Sequence, residues 1–395
     1  MRILLFAPFF PPDPTGSSMF AFQQARHLRS RGHEVLVVSN VADPAAPPWE
    51  EDPDLILERE GVPVVRLRNK RVSLGAVTWN YRLPLSSVGL FNRRARRMIR
   101  EFRTDSVIIH STLFDLSVFA LAWAAIRRKP NLIVCHTALW HDSVLVRLLM
   151  LMFGCLVLRP LCKLGKTRVV CVDKFTHDNA RRVMGRSLDY SVIPVSVDVT
   201  TVSHGNRERV MSKYQITGSP ILLSLGHVIP LRNRVNLINA LPELVSRFPE
   251  IKVVVVGMIK DETAISLADQ LGVRSHLLVT GAVPHAEIAD FLSLADVEAH
   301  DLNGLGLGIT SVEAMAAGTP IVAWVDPANY PALDRSNVDQ SGFVDAGDPL
   351  TIANAISAIL EDESHRETVI KRQKRIVEVV FSEDSVNSQY LKLLQ

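Results

Sequence analysis

The sequence contains only four cysteines, and none of them occurs in a Cys-x-x-Cys spacing. They are Cys135, Cys155, Cys162 and Cys171. Their neighbours are apolar, so we expect buried free thiols in a reducing cytoplasm rather than disulfides. A zinc site built from Cys135, His136 and His141 would have poor ligand spacing, so no metal is expected.

We also expect neither a targeting segment nor a bilayer-spanning apolar run. The N-terminal residues MRILLFAPFF have no extended apolar core and no small-residue cleavage site, and they predict a first strand instead. The most apolar segment, 144–158, is about 15 residues long and contains Arg147, whereas a bilayer-spanning helix needs roughly 20 residues. We expect this segment to lie on a membrane surface or to pack in the core.

The charge is nearly balanced, with 44 basic and 41 acidic side chains and a net charge of +3. This net charge is weak evidence about partners, and we expect no nucleic-acid partner. The basic side chains are concentrated locally, since segment 91–103 contains six arginines and one glutamate. This segment forms either a solvated helix face or a surface that attracts an anionic membrane or an acidic substrate.

A chain of 395 residues is too long for one ordinary core, and an apolar content of 47% excludes a disordered chain. Apolar runs alternate with helical patterns, and most runs are continuous, which is typical of parallel strands buried on both faces. In the first half the predicted strands are ILLFA, EVLVVS, SVIIH, LIVC, RVVCV and YSVIP. The predicted helices there include Met19–Arg31, Leu116–Arg127 and Lys174–Met184.

The alternation begins again after a polar stretch at 196–209, which we interpret as an inter-domain linker. The later predicted strands are ILLSL, KVVVVG, HLLVTG, DVEAH and PIVAWV, with helices near 235–247, 262–271, 285–294, 309–317, 348–361 and 364–379. The sequence predicts an α/β fold of two Rossmann-like, doubly wound domains that face a central cleft. The predicted domains are 1–198, with a C-terminal helix at 382–395 packing back on it, and 199–381.

Glycines alternate at Gly304, Gly306 and Gly308 between strand DVEAH and a predicted helix. Bare backbone at a helix N-terminus is suited to binding an anion. The spacing matches neither G-x-G-x-x-G nor a P-loop, and a tight connection without a ligand is the alternative.

The loop after strand ILLSL contains His227, Arg232 and Arg234. These cations and the glycine loop could converge on a diphosphate, or the arginines could be ordinary surface residues. Glu313, one turn into the helix after the glycines, either complements the helix N-terminus or accepts hydrogen bonds from sugar hydroxyls.

The first predicted domain has its own candidate groups. After the first strand, Gly16, Ser17 and Ser18 bring small groups to the start of a helix, where Ser17 or Ser18 could also act as a plain N-cap. His110 and His136 end two neighbouring predicted strands, which favours a polar site over two unrelated structural histidines.

Together these stretches resemble the family-4 glycosyltransferases of the GT-B fold over nearly the whole chain. LGLGITSVEAMAAGTP at Leu305–Pro320 is similar to the family signature E-G-F-G-L-x-x-x-E-A-M-A-x-G-x-P. GHVIPLR takes the place of the family phosphate loop, IPVSVD the place of its linker, and RGHEV occurs at the expected strand.

The resemblance implies retaining transfer of a sugar from a UDP- or GDP-sugar, without a metal and without a cofactor. The implied catalytic residues are His136, Arg232 and Glu313. The implied donor-binding residues are Gly16, His227, Arg232, Glu298, His300, Asp301, Gly306, Gly308, Ile309, Thr310 and Glu313. Ser17 and His110 are expected on the acceptor side. The diphosphate would be held by the cations and the amides, and Glu313 would bind the ribose hydroxyls.

One departure from the family pattern is important, since Leu305 replaces the first signature glutamate. We expect Glu298, His300 or Asp301, on the strand end just before the loop, to bind the donor sugar in its place and to face the cleft. Two alternatives stay open. They are a nucleotide-sugar epimerase on the same fold and a catalytically silent subunit that binds a glycan or a partner.

The acceptor is expected to be a glycan or a lipid-linked molecule. Segments 91–103 and 144–168 both lie in the predicted acceptor domain and combine basic with apolar side chains. They predict a cytoplasmic enzyme with peripheral contact to the inner face of the membrane.

Overall fold

The structure is a computed structural model, and it divides the chain into two compact units. Unit 1 comprises Met1–Ser196 and Glu383–Gln395, and unit 2 comprises Val197–Ser382. The described residues are 1–13, 15–41, 61–73, 83–86, 93–139, 141, 143–202, 204–229, 234–284, 287–304, 306–331, 333, 341–345 and 347–395.

Unit 1 is organised around a parallel sheet, which the described residues build from seven strands in the order β3-β2-β1-β6-β7-β8-β9. The strands of this unit are β1 (Arg2–Ala7), β2 (Glu34–Asn40), β3 (Val64–Leu67), β4 (Lys70–Val72), β5 (Leu83–Leu85), β6 (Ser106–His110), β7 (Asn131–Cys135), β8 (Arg168–Cys171) and β9 (Asp189–Val192). β4 and β5 form a separate antiparallel pair. The central strands are buried on both faces, which confirms the prediction from their continuous apolar runs.

Among the described residues up to Ser196, five helices of unit 1 alternate with these strands. They are α1 (Gly16–Ser30), α2 (Arg93–Glu101), α3 (Asp115–Arg127), α4 (Val144–Gly165) and α5 (Lys174–Met184). The start predicted for the first helix, Met19, is wrong by one turn. The reason is that Thr15, and not a serine, is the N-cap, since its Oγ1 accepts a 3.2 Å hydrogen bond from the Ser18 amide.

Helix α4 is longer than the sequence predicted, because it continues past residue 158 through a π-helical turn at Gly154–Leu158. With 22 residues it is long and apolar enough to cross a bilayer by length and composition. The predicted length of about 15 residues, which was the reason given against a span, was therefore wrong. A Cβ on Gly154 would lie 2.3 Å from Val183 Cγ1, so this glycine allows α4 to pack closely against α5.

One side of α4 packs on the core of unit 1 through Phe153, Leu158 and Cys162. Its other side exposes apolar residues, namely Val144, Leu145, Leu148, Leu149, Leu151, Met152, Leu156 and Leu164. We call these residues the outer face of α4. An exposed apolar surface of this extent is typical of a site of interaction.

Unit 2 has a second parallel sheet, which the described residues build in the order β12-β11-β10-β13. The strands of this sheet are β10 (Ile221–Leu225), β11 (Lys252–Val256), β12 (Leu277–Gly281) and β13 (Val297–Glu298). Two further strands of unit 2, β14 (Ala323–Trp324) and β15 (Phe343–Val344), form a separate parallel pair. Its helices are α6 (Val199–Val202), α7 (Arg207–Tyr214), α8 (Arg234–Arg247), α9 (Thr263–Gln270), α10 (Ile288–Leu294), α11 (Ile309–Ala317), α12 (Pro349–Glu361) and α13 (Glu363–Ile376). The stretch at 196–209, predicted as a plain linker, contains α6 and the start of α7, and Val202 is buried.

The chain ends with helix α14 (Glu383–Leu394), which belongs to unit 1. It packs on α1, where Gln24 Nε2 donates to Asn387 Oδ1 at 3.1 Å. Tyr390 is fully buried, with its ring centroid 6.2 Å from that of Phe20. The last residues of the chain therefore contribute to the core beside β6 and β7.

Candidate functional site

The glycine-rich loop of unit 2 connects β13 to α11. Gly304 and Gly306 have φ angles of 73° and 128°, in the left-handed region where only glycine is unstrained. A Cβ on Gly304 would also lie 3.1 Å from Trp324 Cε2. The backbone path therefore requires glycine at 304 and 306, and packing against Trp324 also requires it at 304, whether or not an anion binds. Gly308 has a φ of -74°, which any residue can adopt.

Two amides of this loop already have partners inside unit 2. The Leu307 amide donates to the Tyr330 hydroxyl at 2.7 Å, and the Gly308 amide donates to Asp301 Oδ2 at 2.6 Å. Ile309 and Thr310 are the first two residues of α11, so their N–H groups have no acceptor within the helix. Of the amides expected to bind an anion at 306–310, those of Leu307 and Gly308 are therefore occupied, whereas those of Ile309 and Thr310 remain available at the start of α11.

Glu298, His300 and Asp301 are fully buried, which corrects the expectation that they face a cleft. His300 Nδ1 lies 2.5 Å from Glu298 Oε1, and His300 Nε2 lies 3.4 Å from Asp301 Oδ2. The three side chains form one internal cluster, because buried acids and an imidazole stabilise one another when they pair.

This buried cluster reaches α11 through two hydroxyl groups. Ser311 Oγ donates to Asp301 Oδ2 at 2.8 Å, and Thr310 Oγ1 lies 3.0 Å from His300 Nε2. The cluster therefore holds the first turn of α11 in place through the side chains of Thr310 and Ser311. Contact of these three residues with the donor sugar stays a prediction. In the structure their side chains are buried and contact one another and α11.

The loop after β10 lies beside the start of α11. Gly226, with a φ of 130°, is placed so that a Cβ would lie 3.6 Å from His300 and 3.8 Å from Thr310 Oγ1. His227 follows it and is partly exposed. The structure thus brings His227 and Thr310 to the same end of the unit 2 sheet. Arg232 lies outside the described residues, so its role stays a prediction.

Arg234 is not a cation at the mouth of the loop, as the sequence suggested. It is buried, and its guanidinium donates to the carbonyls of Gly226 at 2.6 Å and His227 at 2.7 Å, and through Nε to Ser224 Oγ at 3.0 Å. Its fork of donors matches several carbonyls at once. Arg234 therefore shapes the loop that presents His227.

Glu313 lies on α11 in the second turn and is buried in unit 2. A buried carboxylate near the helix start is favoured by the helix dipole, which was one of the two interpretations of this residue. Its role as a ligand of ribose hydroxyls stays a prediction.

In unit 1, the start of α1 presents an exposed Gly16 and a partly exposed Ser17. Ser17 Oγ lies 3.2 Å from the Thr15 Oγ1 cap. The loop before them is held by two arginines that sequence reasoning missed. Arg66 donates to the carbonyls of Phe10 and Pro11, and Arg71 pairs with the buried Asp13. The basic residues of RLRNKR were the available signal, but the edge strand β3 was not predicted.

His110 and His136 meet at the carboxyl ends of β6 and β7, as the sequence predicted. His110 Nδ1 and His136 Nε2 are 2.9 Å apart. Burial lowers the pKa of His136 to about 4, and burial together with the neighbouring His136 lowers the pKa of His110 well below its usual value. Both rings are therefore neutral at pH 7. His110 is buried while His136 is partly exposed, so only His136 is placed to touch a substrate.

No group of three or more His, Cys, Asp or Glu side chains that could hold a metal ion occurs among the described residues. The expectation of a metal-independent reaction stays a prediction.

Comparison with known proteins supplies the family. The family model "Glycosyl transferases group 1" matches residues 206–376, and the model "Glycosyl transferase 4-like domain" matches residues 15–195.

Several relatives of this chain are mannosyltransferases. The phosphatidyl-myo-inositol mannosyltransferase of Mycolicibacterium smegmatis is 29% identical over 381 residues, which are 94% of this chain and 88% of that protein. The GDP-mannose-dependent alpha-(1-6)-phosphatidylinositol monomannoside mannosyltransferase of the same organism is 31% identical over 165 residues, 39% of this chain and 43% of that protein.

The solved structure of Anabaena Alr3699/HepE in complex with UDP and glucose matches with a TM-score of 0.72 and 19% identity, over 100% of this chain and 99% of that one. This likeness concerns the fold. The two domain matches, the relatives and the shared architecture agree, and the chain belongs to the family-4 glycosyltransferases of the GT-B fold.

Proposed function

We propose that this enzyme is a retaining, metal-independent mannosyltransferase that uses GDP-mannose and acts on an inositol-bearing phospholipid. The observation that carries the proposal is the open helical end of the glycine loop, beside the Gly226–His227 loop at the same end of the unit 2 sheet. The names of the relatives support the choice of mannose and of the acceptor class.

In the proposed mechanism the amides of Ile309 and Thr310 bind the donor diphosphate together with His227 and Arg232. As the glycosidic bond breaks, negative charge develops on the diphosphate, and preorganised donors lower the barrier where charge develops. No divalent cation takes part, so a helix terminus and cationic side chains supply the positive potential. The leaving phosphate takes the proton of the acceptor hydroxyl on the same face of the sugar.

The proposal assigns other contacts by the family resemblance. Glu313 binds the ribose hydroxyls, and Gly16 leaves room for the phosphates. His136 contacts the transferred sugar, and Ser17 lies on the acceptor side.

The buried cluster of Glu298, His300 and Asp301 has a supporting role in this proposal. It holds Thr310 and Ser311 in the first turn of α11, and thereby fixes the direction of the free amides. In this proposal its three members position the donor site and do not contact the sugar. The sugar contact that the first signature glutamate would make is then absent, because Leu305 stands at that position and no other residue takes its place.

The outer face of α4 supports a lipid-linked acceptor and a place at the inner face of the membrane. Leu145, Leu149 and Leu156 are each more than half exposed, and Lys163 and Lys166 follow on the same segment. An apolar helix face with basic residues at its end is suited to the boundary between lipid headgroups and acyl chains. Because the opposite side of α4 packs on unit 1, we propose peripheral contact and not a span.

The function is tested with the full-length protein, labelled GDP-mannose, and vesicles that contain phosphatidylinositol. We expect mannose to be transferred to the lipid, with retention of the anomeric configuration in the NMR spectrum of the product, and with no loss of rate in EDTA. A panel with UDP-glucose and other nucleotide sugars tests the donor choice.

Two outcomes would contradict the proposal. Conversion of the nucleotide sugar into its epimer without an acceptor would indicate an epimerase. Saturable donor binding with neither transfer nor slow hydrolysis would indicate a silent subunit. As an internal check, Glu313→Gln should raise the donor KM by about tenfold, the value of one hydrogen bond, whereas Glu243→Gln on the surface should not.

A further inference from the structure

The two neutral histidines of unit 1 are held in fixed orientations. Their ring centroids are 5.2 Å apart with an interplanar angle of 16°. Phe20 from α1 makes edge contacts with both rings, with centroid distances of 5.7 Å to His110 and 5.6 Å to His136. Neither ring can turn without displacing this buried phenylalanine.

The direction of the hydrogen bonds around these rings is set by α14. Asn387 Nδ2 donates to the Glu383 carbonyl at 2.9 Å, and a carbonyl can only accept. The other atom of the Asn387 amide, Oδ1, must therefore accept from Gln24 Nε2, which lies 3.1 Å away. Oε1 of Gln24 is then left to accept from His110 Nε2, also at 3.1 Å.

The same direction continues to His136. A neutral imidazole has one N–H group, and in His110 that group is on Nε2. His110 Nδ1 is consequently an acceptor, and His136 Nε2 must carry the proton that bridges the 2.9 Å between the rings. His136 is thus left with an unprotonated Nδ1, which makes no hydrogen bond with any described residue.

Other titratable groups in this part of the core do not disturb the arrangement. Burial raises the pKa of Tyr390, and the pKa of the Cys135 thiol is raised by its hydrogen bond with Cys171 and by burial. Both are neutral at pH 7, so they place no charge beside the two histidines.

We infer that Gln24 and Asn387 are positioning residues, which hold His136 in the Nε2–H tautomer so that its Nδ1 accepts a hydrogen bond from a hydroxyl of the transferred sugar. The inference rests on the proposed function, in which His136 contacts that sugar. In the opposite tautomer His136 would present an N–H group, which could only donate to the hydroxyl oxygen, so the tautomer decides the direction of this hydrogen bond.

The first test reads the tautomer directly, from two-bond ¹H–¹⁵N correlations of the full-length protein labelled at histidine. In the wild type we expect His136 to show a protonated Nε2 and an unprotonated Nδ1 at pH 7, in the absence of any donor. Assignment uses the loss of signals in His136→Gln. A wild-type spectrum in which His136 Nδ1 carries the proton would overturn the inference without recourse to any variant.

The second test changes the direction of the chain of hydrogen bonds. Gln24→Glu keeps the size of the side chain but removes its donor, and the carboxylate favours a doubly protonated His110, which then donates to His136 Nε2. We expect the proton of His136 to move to Nδ1 in this variant. Gln24→Leu should instead leave a mixture of tautomers.

The matched control is Gln23→Leu on the same helix. Gln23 is also buried, and its Oε1 has no hydrogen-bond partner among the described residues. This control should keep the wild-type tautomer of His136. If Gln24→Leu and Gln23→Leu give the same spectrum as the wild type, the inference fails.

Kinetics separate positioning from a general loss of structure. With the proposed donor, Gln24→Leu should lower kcat by about tenfold, the value of one hydrogen bond, and change the donor KM by less than twofold. Gln23→Leu should change neither. A protein that shows the expected tautomer but transfers no sugar would contradict the proposed function, whereas transfer with the opposite tautomer would contradict only the role of Gln24 and Asn387.

Discussion

The carboxylate of Asp301 accepts a 2.6 Å hydrogen bond from the Gly308 amide at the start of α11. The Gly308 amide, which the sequence suggested as a donor to a bound anion, thus already donates to a side chain of the protein. The proposed diphosphate site begins one residue later, and its position depends on a buried acid.

Replacing Asp301 by asparagine tests this dependence. Oδ2 of Asp301 accepts from both the Gly308 amide and the Ser311 hydroxyl, and an asparagine would lose the negative charge that strengthens both hydrogen bonds. We expect Asp301→Asn to lower the free energy of unfolding by about 1–3 kcal/mol in urea denaturation. Asp345→Asn, an exposed position in the same unit, serves as the control. Equal midpoints for the two variants would mean that the Asp301 contacts contribute nothing.

Gly304→Ala tests the structural explanation of the glycine loop. Gly304 combines a φ of 73° with a close approach to Trp324, whereas Gly272 has a φ of 70° and nothing within 4 Å of an added Cβ. Gly272→Ala should therefore cost only the left-handed backbone, about 1–2 kcal/mol. Gly304→Ala should cost about 1–3 kcal/mol more, because of overpacking. Thermal and urea unfolding of both variants measure the difference, and equal losses would show that Trp324 adjusts freely.

The paired histidines predict how stability depends on pH. Burial lowers the pKa of both His110 and His136 in the folded protein, and that of His136 to about 4. Between this value and the unfolded value of about 6.5 the unfolded chain binds more protons, so stability rises with pH through this window and is lost on acidification. Each histidine contributes a slope of at most about 1.4 kcal/mol per pH unit.

The measurement is the urea midpoint of unfolding of the full chain at several pH values from about 4.5 to about 7.5, which covers most of the interval between the folded and the unfolded pKa. His136→Gln should flatten the slope, and His204→Gln, at an exposed histidine, should leave it unchanged. A slope that is the same in the wild type and in His136→Gln would contradict the prediction.

The outer face of α4 predicts binding to lipid. Leu145 and Leu149 are 67% and 55% exposed, and burying a leucine in an apolar phase gains about 1.5–3 kcal/mol. The double variant Leu145→Gln/Leu149→Gln should bind phosphatidylinositol vesicles at least about tenfold more weakly in co-sedimentation. Leu350→Gln, which removes a single exposed leucine from unit 2, is the control.

Salt distinguishes the two contributions to this binding. Release of the wild type by high salt alone would assign the attachment to charge, since salt screens charged contacts. Retention in high salt with release by detergent would assign it to the apolar face of α4. Equal binding by the double variant and the wild type would contradict the role of that face.

Several elements could be predicted from local sequence. Helix α11 has the predicted bounds, Ile309–Ala317, because a glycine loop precedes it and Gly318, with a φ of 88°, ends it. The strands of both sheets, except the edge strand β3, were recognised from their apolar runs. The end of α4 was not, because the apolar run ends at Leu158, whereas the helix continues through a π-helical turn at Gly154–Leu158 to Gly165.

The site was harder to predict than the elements that contain it. The sequence placed Arg234 at a binding loop, but in the fold its guanidinium finds the carbonyls of Gly226 and His227 and is buried. The sequence likewise placed Glu298 and Asp301 in the open, and the fold pairs both with His300. A cation or an acid in a motif does not reveal whether it meets a ligand or the protein.

By itself, the sequence determined the order of strands and helices, the glycine loop and the family, because burial period, caps and turn residues act over a few neighbours. The tertiary structure alone decided which amides are open and which tautomer His136 adopts. These depend on partners far apart in the chain, such as Tyr330 for Leu307 and Asn387 for Gln24. A hydrogen bond needs both atoms within about 3 Å, and only the folded chain brings such residues together.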